Sequence, residues 1–138
     1  MEILPFLKIY FMDNTTNALN WFEIPVTDMA RAKHFYQVVF SIHMDDMTMP
    51  GMEMSGFPVE MGNGKVSGAL VKSDYHHPSK DGVVVYLNAN PDMTEILERI
   101  ESEHGEVVMP KTKISDEIGY MAFFIDSEGN RIALHSQG

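Results

Sequence analysis

The chain has no cysteine among its 138 residues, which excludes disulfides, thiolate metal sites and a cysteine nucleophile. That absence suits a reducing compartment, and a cytoplasmic location is expected. Cations are scarce as well: 10 Lys and Arg stand against 20 Asp and Glu, a formal net charge of −10. A surface of that sign repels phosphate backbones, so no nucleic-acid partner is expected. No apolar run approaches the roughly 20 residues that span a bilayer, so no membrane partner is expected either. The apolar opening MEILPFLKIYFM lacks the basic start of a secretory leader, because Glu2 comes first and Lys8 interrupts it. Residues 1–16 are read as an N-terminal arm, with Met12 as the alternative initiator. Tryptophan is rare too, with Trp21 the single example.

What is present is one domain's worth of ordinary globular sequence, 44% hydrophobic and 22% charged, long enough to bury a core. Residues 17–138 carry one pattern twice. In the first copy, about 17–72, a strand over Leu19 to Val26 leads to Asp28. That residue can cap a helix whose stripe is Met29, Ala32, Phe35, Tyr36 and Val39. Strands follow near Ile42 to Met47, Met52 to Met61 and Val66 to Lys72, broken by Pro50-Gly51 and by Gly62-Asn63-Gly64. In the second copy, about 83–136, Val83 to Asn88 is the opening strand. Asn90-Pro91 then reads as helix cap and first helical residue. Met93, Ile96, Leu97 and Ile100 form the buried stripe, and Gly105 ends the helix. Strands near Glu106 to Met109, Tyr120 to Ile125 and Arg131 to Ser136 complete it.

The pattern predicts an α+β fold of two βαβββ modules. One copy alone would expose a sheet face, so the two should pair around a concave, barrel-like cleft.

Three stretches in this order resemble a known family. They are Glu23 to Asp28 with Arg31 to Tyr36; Ser67 to Leu70 followed by Asp81 to Tyr86; and Asp126 to Ser136, DSEGNRIALHS. They are similar to the vicinal oxygen chelate superfamily, the glyoxalase, bleomycin-resistance and extradiol dioxygenase proteins, and within it to the predicted glyoxalase-related branch. The resemblance implies the paired-module fold, a homodimer and, in metal-using members, four His, Glu or Gln ligands converging in the cleft. Carried over residue by residue, those ligand positions fall on Trp21, Gly68, Val83 and Ala133, none of which coordinates a metal. No cofactor is therefore expected, and a divalent metal would need a site of another kind. The turn Asp126 to Asn130 is expected to be structural, with Asp126 bonding turn amides.

Strand alternation nominates the cleft's lining. If Phe22, Ile24 and Val26 pack under the first helix, then Trp21, Glu23 and Pro25 face the cleft. The same logic brings Gly68 and Leu70, Val83, Val85 and Leu87, and Ala133 and His135 to it. Met52 and Met54 belong to a methionine-rich segment, Met44 to Met61, read either as a mobile hairpin over the cleft or as packing, because thioethers adapt to irregular apolar shapes. Glu23 is the candidate catalytic residue: a carboxylate on an apolar face resists ionisation unless it is paired, and such groups serve as bases or ligand anchors. Its structural alternative is an ion pair to Arg31, Lys65 or a lysine of Lys111 to Lys113. His76 and His77 read as solvated linker residues. Two functions follow. One is metal-independent binding of a small apolar or aromatic molecule. The other is a lyase, isomerase or dioxygenase-type enzyme using Glu23 as acid/base or an unrecognised metal site.

Overall fold

The computed structural model describes residues 11–60 and 62–138. The first ten residues of the arm, and Met61 of the methionine-rich segment, lie outside the described residues. The two modules are both present. The first comprises β1 (Trp21–Pro25), α1 (Met29–Phe40), β2 (Asp45–Met49), β3 (Met52–Gly56) and β4 (Ser67–Lys72). The second comprises β5 (Tyr86–Asn88), α2 (Thr94–Ser102), β6 (Glu106–Ser115), β7 (Gly119–Ile125) and β8 (Arg131–Ser136).

Each module makes a four-stranded mixed sheet, in the orders β1-β4-β3-β2 and β5-β8-β7-β6. In each, the first and last strands run parallel and the other pairs antiparallel. The helix and the two strands after it make the long connection that a parallel pair requires. The sheets remain two separate units, so the barrel-like pairing does not close into a barrel. Both sheets pack their helix-covered faces into one core built on Ile24, Tyr36, Phe35, Leu70, Phe124, Leu134, Met93 and Ile100.

Helix α1 begins where its sequence says. The Asp28 carboxylate accepts the Arg31 amide at 3.0 Å, and Ala32, Phe35, Tyr36 and Val39 are buried. Helix α2 starts later than Asn90-Pro91 suggests. Asn90 Oδ1 instead accepts the Gln137 amide at 2.7 Å, and the Pro91 carbonyl accepts the Gly138 amide at 3.0 Å. The residues that looked like a helix start are therefore spent anchoring the chain's end. At the far end of α2 the left-handed residue is His104, with φ 71°. Gly105 is required for room: a Cβ there would press on Ile100, Phe35 and the Ile125 carbonyl.

Two further expectations are refined. The methionine-rich segment divides between the two alternatives: Met47 and Met49 lie on the exposed edge strand of the β2–β3 hairpin, whereas Met44 is buried in the core and Met54 is packed with Ala69 and Val71. The opening strand of the second module is only three residues long, Tyr86–Asn88; Val85 still accepts the Ala133 amide at 3.0 Å, whereas residues 83 and 84 lie outside the strand.

Candidate functional site

Register decides which side chains share a face. In the first sheet Trp21 pairs with Ser67, Glu23 with Ala69 and Pro25 with Val71, while Phe22 pairs with Gly68 and Ile24 with Leu70. Ile24 and Leu70 are buried under the helices, and Phe22 packs against the same core. Trp21, Glu23 and Pro25 consequently stand on the open face with Ser67, Ala69 and Val71. Gly68 and Leu70 belong to the helix-covered face, so neither lines an open cleft. The reading of β4 was one residue out of phase, and a one-residue slip sends every side chain to the opposite face.

The second sheet carries the same correction. Tyr86 pairs with Ala133 and Leu87 with Leu134, so Tyr86 and Ala133 share the open face while Leu87 enters the core. Val85 packs against that core, and Val83, outside the strand, is 92% exposed. Phe123 also pairs with Ala133, and its ring meets Tyr86 edge-on at 6.0 Å between centroids. His135 lies on the open face with Nε2 2.5 Å from the Ile118 carbonyl. It serves the β6–β7 connection rather than a site. Met54 is buried with Ala69 and Val71 in a small cluster, and Met52 packs on it.

The open faces thus carry Trp21 beside Ser67 in the first sheet and Tyr86 beside Ala133 in the second. An indole, a phenol and a methyl group stand there with a hydroxyl that donates to the carbonyls of Phe57 and Pro58. That donor set does not fit an octahedral divalent ion. Among the described residues, no cluster of three or more His, Asp or Glu could hold one.

Glu23 is paired, but with none of the cations suggested by sequence. Its Oε1 lies 2.8 Å from His76 Nε2, and Trp21 Nε1 donates to Oε2 at 3.3 Å. On the other side of the ring, Ser73 Oγ lies 2.6 Å from His76 Nδ1. His76 is therefore not a solvated linker residue; its side chain is only 17% exposed. No local signal in the sequence announces this pairing, since the partners are 53 positions apart. The S-x-x-H spacing of Ser73 and His76 is the only hint.

Arg31 goes elsewhere. The Asp126–Asn130 turn of the second module docks on the start of α1 in the first. Glu128 Oε1 accepts the amides of Thr27 at 2.9 Å and Asp28 at 2.8 Å, and Arg31 Nε donates to Oε2 at 2.7 Å. Burial would raise the Glu128 carboxyl, but the Arg31 guanidinium and the Asp28 and Thr27 donors win and hold it at about 2. Behind it, Tyr36 Oη donates to Asp126 Oδ2 at 2.6 Å, and Asn130 Nδ2 donates to the Pro25 carbonyl at 2.7 Å. Burial pushes both the Tyr36 phenol and the Asp126 carboxyl upward. Asp126 also accepts the Glu128 and Asn130 amides, as the turn reading anticipated. The first and third sequence motifs are thus the two halves of one clasp between modules.

Two cavities flank the seam between the modules. The larger, about 700 Å³, is walled by Leu19, Phe22, Phe40, Ile42, Phe57 and the Val83–Asn88 segment. Phe22 stands on its wall, and Trp21 and Glu23 do not. The smaller, about 240 Å³, is walled by Glu23, Pro25, His77, Asp81, Val83 and Arg131 among others. Val83 and Val85 touch both, so these two remain cavity-lining residues while the opposite face of Tyr86 serves the open sheet.

Comparison with known proteins agrees with this architecture. The chain is 29% identical over 120 residues to "Putative glyoxylase CFP32" of Mycobacterium bovis and of Mycobacterium tuberculosis. The match takes in 83% of this chain and 44% of those proteins, so the chain spans less than half the length of these curated relatives. Its fold is similar to that of glyoxalase I from Zea mays, with TM-score 0.61 at 15% identity over 84% of this chain and 43% of that one. It is equally similar to TnmS3, an antibiotic binding protein from Streptomyces, with TM-score 0.59 at 20% identity over 91% of this chain and all of that one. Residues 18–134 match the model of one family. With both βαβββ modules in place and the motif residues forming their clasp, the chain belongs to the Glyoxalase/Bleomycin resistance protein/Dioxygenase superfamily.

Proposed function

We propose that this protein binds a small apolar or aromatic molecule at the seam between its modules without using the divalent metal of its metal-dependent relatives. The observation that carries this reading is the cavity of about 700 Å³ with aromatic and aliphatic walls. Its size falls in the range of small-molecule sites, and its few polar side chains, Ser67, Tyr86 and Asn88, suffice to orient a ligand rather than to transform one. The antibiotic binding described for the structural neighbour TnmS3 supports the same kind of role. A homodimer, the usual assembly of the family, belongs to this reading and is checked by light scattering on the purified chain.

The test is a fluorescence titration with 1-naphthol as the probe, in parallel with thermal unfolding. Saturable binding with a rise in midpoint is expected, and chelator should leave both unchanged. Leu19 is half-exposed at the mouth, so Leu19→Arg should fold normally and abolish binding. Absence of saturation, or equal binding by Leu19→Arg, overturns the cavity as the site.

A second reading, a lyase- or isomerase-type enzyme, rests on a different observation. Glu23 and His76 share a hydrogen bond of 2.8 Å, which is proton-transfer distance. Undiminished turnover of an identified substrate by Glu23→Gln would remove it.

A further inference from the structure

The smaller seam cavity has a charge pattern that the apolar-ligand reading leaves unused. Arg131 lines it, and its Nε is buried with no hydrogen-bond partner. None of the ion pairs among the described residues includes it. That Nε is closed off from solvent, so it is the terminal Nη groups, which make no hydrogen bond or ion pair among the described residues, that are left to meet an incoming acceptor. The guanidinium is also held in place: its carbon lies 5.9 Å from the centre of the Phe123 ring, an arrangement that fixes the fork without neutralising it. Neighbouring polar groups are engaged elsewhere. Asn130 spends Oδ1 on the Ser79 amide and Nδ2 on Pro25 and Asp126, and Ser79 Oγ donates to the Asp81 carbonyl.

The remaining ionisable groups on the walls are Glu23, Asp81 and His77. Glu23 and Asp81 share a space of about 240 Å³ with Arg131 yet make no ion pair with it. A free anion would match Arg131 but meet both carboxylates, and the chain's net charge of −10 would repel it at long range. A simple cation would match the carboxylates and meet Arg131. A molecule carrying both charges satisfies all three and is itself neutral at a distance. The other walls, Ile24, Pro25, Val83, Val85 and Ile132, are apolar.

We propose that this second cavity binds a small zwitterion with an apolar side chain, of the α-amino acid class. The carboxylate pairs with Arg131, the ammonium with Asp81, and the side chain packs against Val83 and Val85; Glu23, bonded to His76 and Trp21, adds negative charge to the same wall. Bidentate pairing of guanidinium with carboxylate supplies orientation as well as affinity.

The experiment is titration calorimetry of the full chain with L-leucine, L-valine and L-phenylalanine. It is repeated with the two half-molecules of leucine, 4-methylpentanoate and 3-methylbutan-1-amine. At least one amino acid should bind saturably, and 4-methylpentanoate and the amine should each bind about tenfold or more weaker than leucine. Arg131→Gln should weaken the amino acid by a similar factor. Asp81 is exposed, so Asp81→Asn tests the ammonium contact without endangering the fold and should also weaken it. Failure of all three amino acids to saturate overturns the proposal, as does equal binding by a half-molecule or unchanged affinity in both variants. The two cavities share Val83 and Val85, but Leu19 lines only the larger and Arg131 only the smaller: Leu19→Arg should leave leucine binding intact, and Arg131→Gln should leave 1-naphthol binding intact, so the two readings fail separately.

Discussion

The two modules follow one βαβββ plan but differ at both ends of it. The first opens with a five-residue strand, β1, whose alternation is fully expressed: Ile24 is buried and Glu23 exposed. The second opens with only three residues, β5. The difference comes from the linker. Ser79 takes the sheet edge that a longer β5 would use: its amide donates to Asn130 Oδ1, and its carbonyl accepts the Arg131 amide. Val83 is displaced outward, and the smaller cavity opens behind it. Their last turns differ as well. The Gly62–Gly64 turn of the first module is exposed, whereas the Asp126–Asn130 turn of the second is fastened to α1. A repeated pattern thus specifies two similar units, and the single copy of the linker makes them unequal.

The comparison can be broken most severely at β4. The helix-facing pairs are Phe22–Gly68 and Ile24–Leu70 in the first module but Leu87–Leu134 in the second. Gly68→Leu would give the first module the second's residue type, yet a Cβ there collides with the Phe22 carbonyl and ring. A loss of about 3 kcal/mol or more is expected in urea unfolding, because both backbone and ring must move. A normal midpoint would show that β1 and β4 are less tightly registered than described.

Next in size is the clasp. Glu128→Ala should lower stability by about 2–3 kcal/mol, since it strips α1 of its cross-module acceptor and leaves Arg31 without its partner. Placing an equivalent carboxylate in the exposed turn, as Asn63→Glu, should change stability by less than about 0.5 kcal/mol. Equal effects at the two turns would erase the asymmetry.

The pH dependence separates the turns further. The Glu128 carboxyl lies at about 2 in the folded protein against an ordinary 4.5. Its contribution is present above pH 4.5 and is lost as pH falls toward 2. Asp126, raised by burial, acts with the opposite sign: its charged form is disfavoured by folding, so acid relieves a cost there. Glu128→Gln should therefore flatten the acid limb of a stability–pH curve, measured by urea midpoints. An unchanged acid limb would remove the clasp as its origin.

A loss smaller than that at the clasp is expected at the linker. His76→Ala removes a partly exposed pair with Glu23 and should cost about 1 kcal/mol. It should also shift backbone resonances of residues 73–85 in an NMR correlation spectrum. Shifts confined to His76 and its immediate neighbours would show that the pair does not hold the linker in place.

Much of the fold was legible because it is written in short-range patterns. The stripe of α1, its Asp28 cap, the turn geometry of Asp126 and the alternation of β1 are all local and all observed. The departures have two causes. Gly68 and Leu70 were assigned to the cleft, and Leu87 with them, because the phase of an apolar strand such as SGALVK cannot be read when both neighbours are apolar. Tyr86, the residue that stands beside Ala133, was hidden by the same ambiguity. Asn90-Pro91 resembled a helix start because cap chemistry and turn chemistry use the same residue types.

What the sequence determined by itself was therefore the family, the number of modules and the order of their elements, since periodicity, caps and turns act over a few residues. The tertiary structure alone decided that His76 reaches Glu23, that Glu128 binds α1 across nearly 100 positions of chain, and that Arg131 faces a cavity without a partner. These pairings join residues far apart in the chain. Their free energy depends on where two sheets and a linker come to rest, and no local propensity encodes that position.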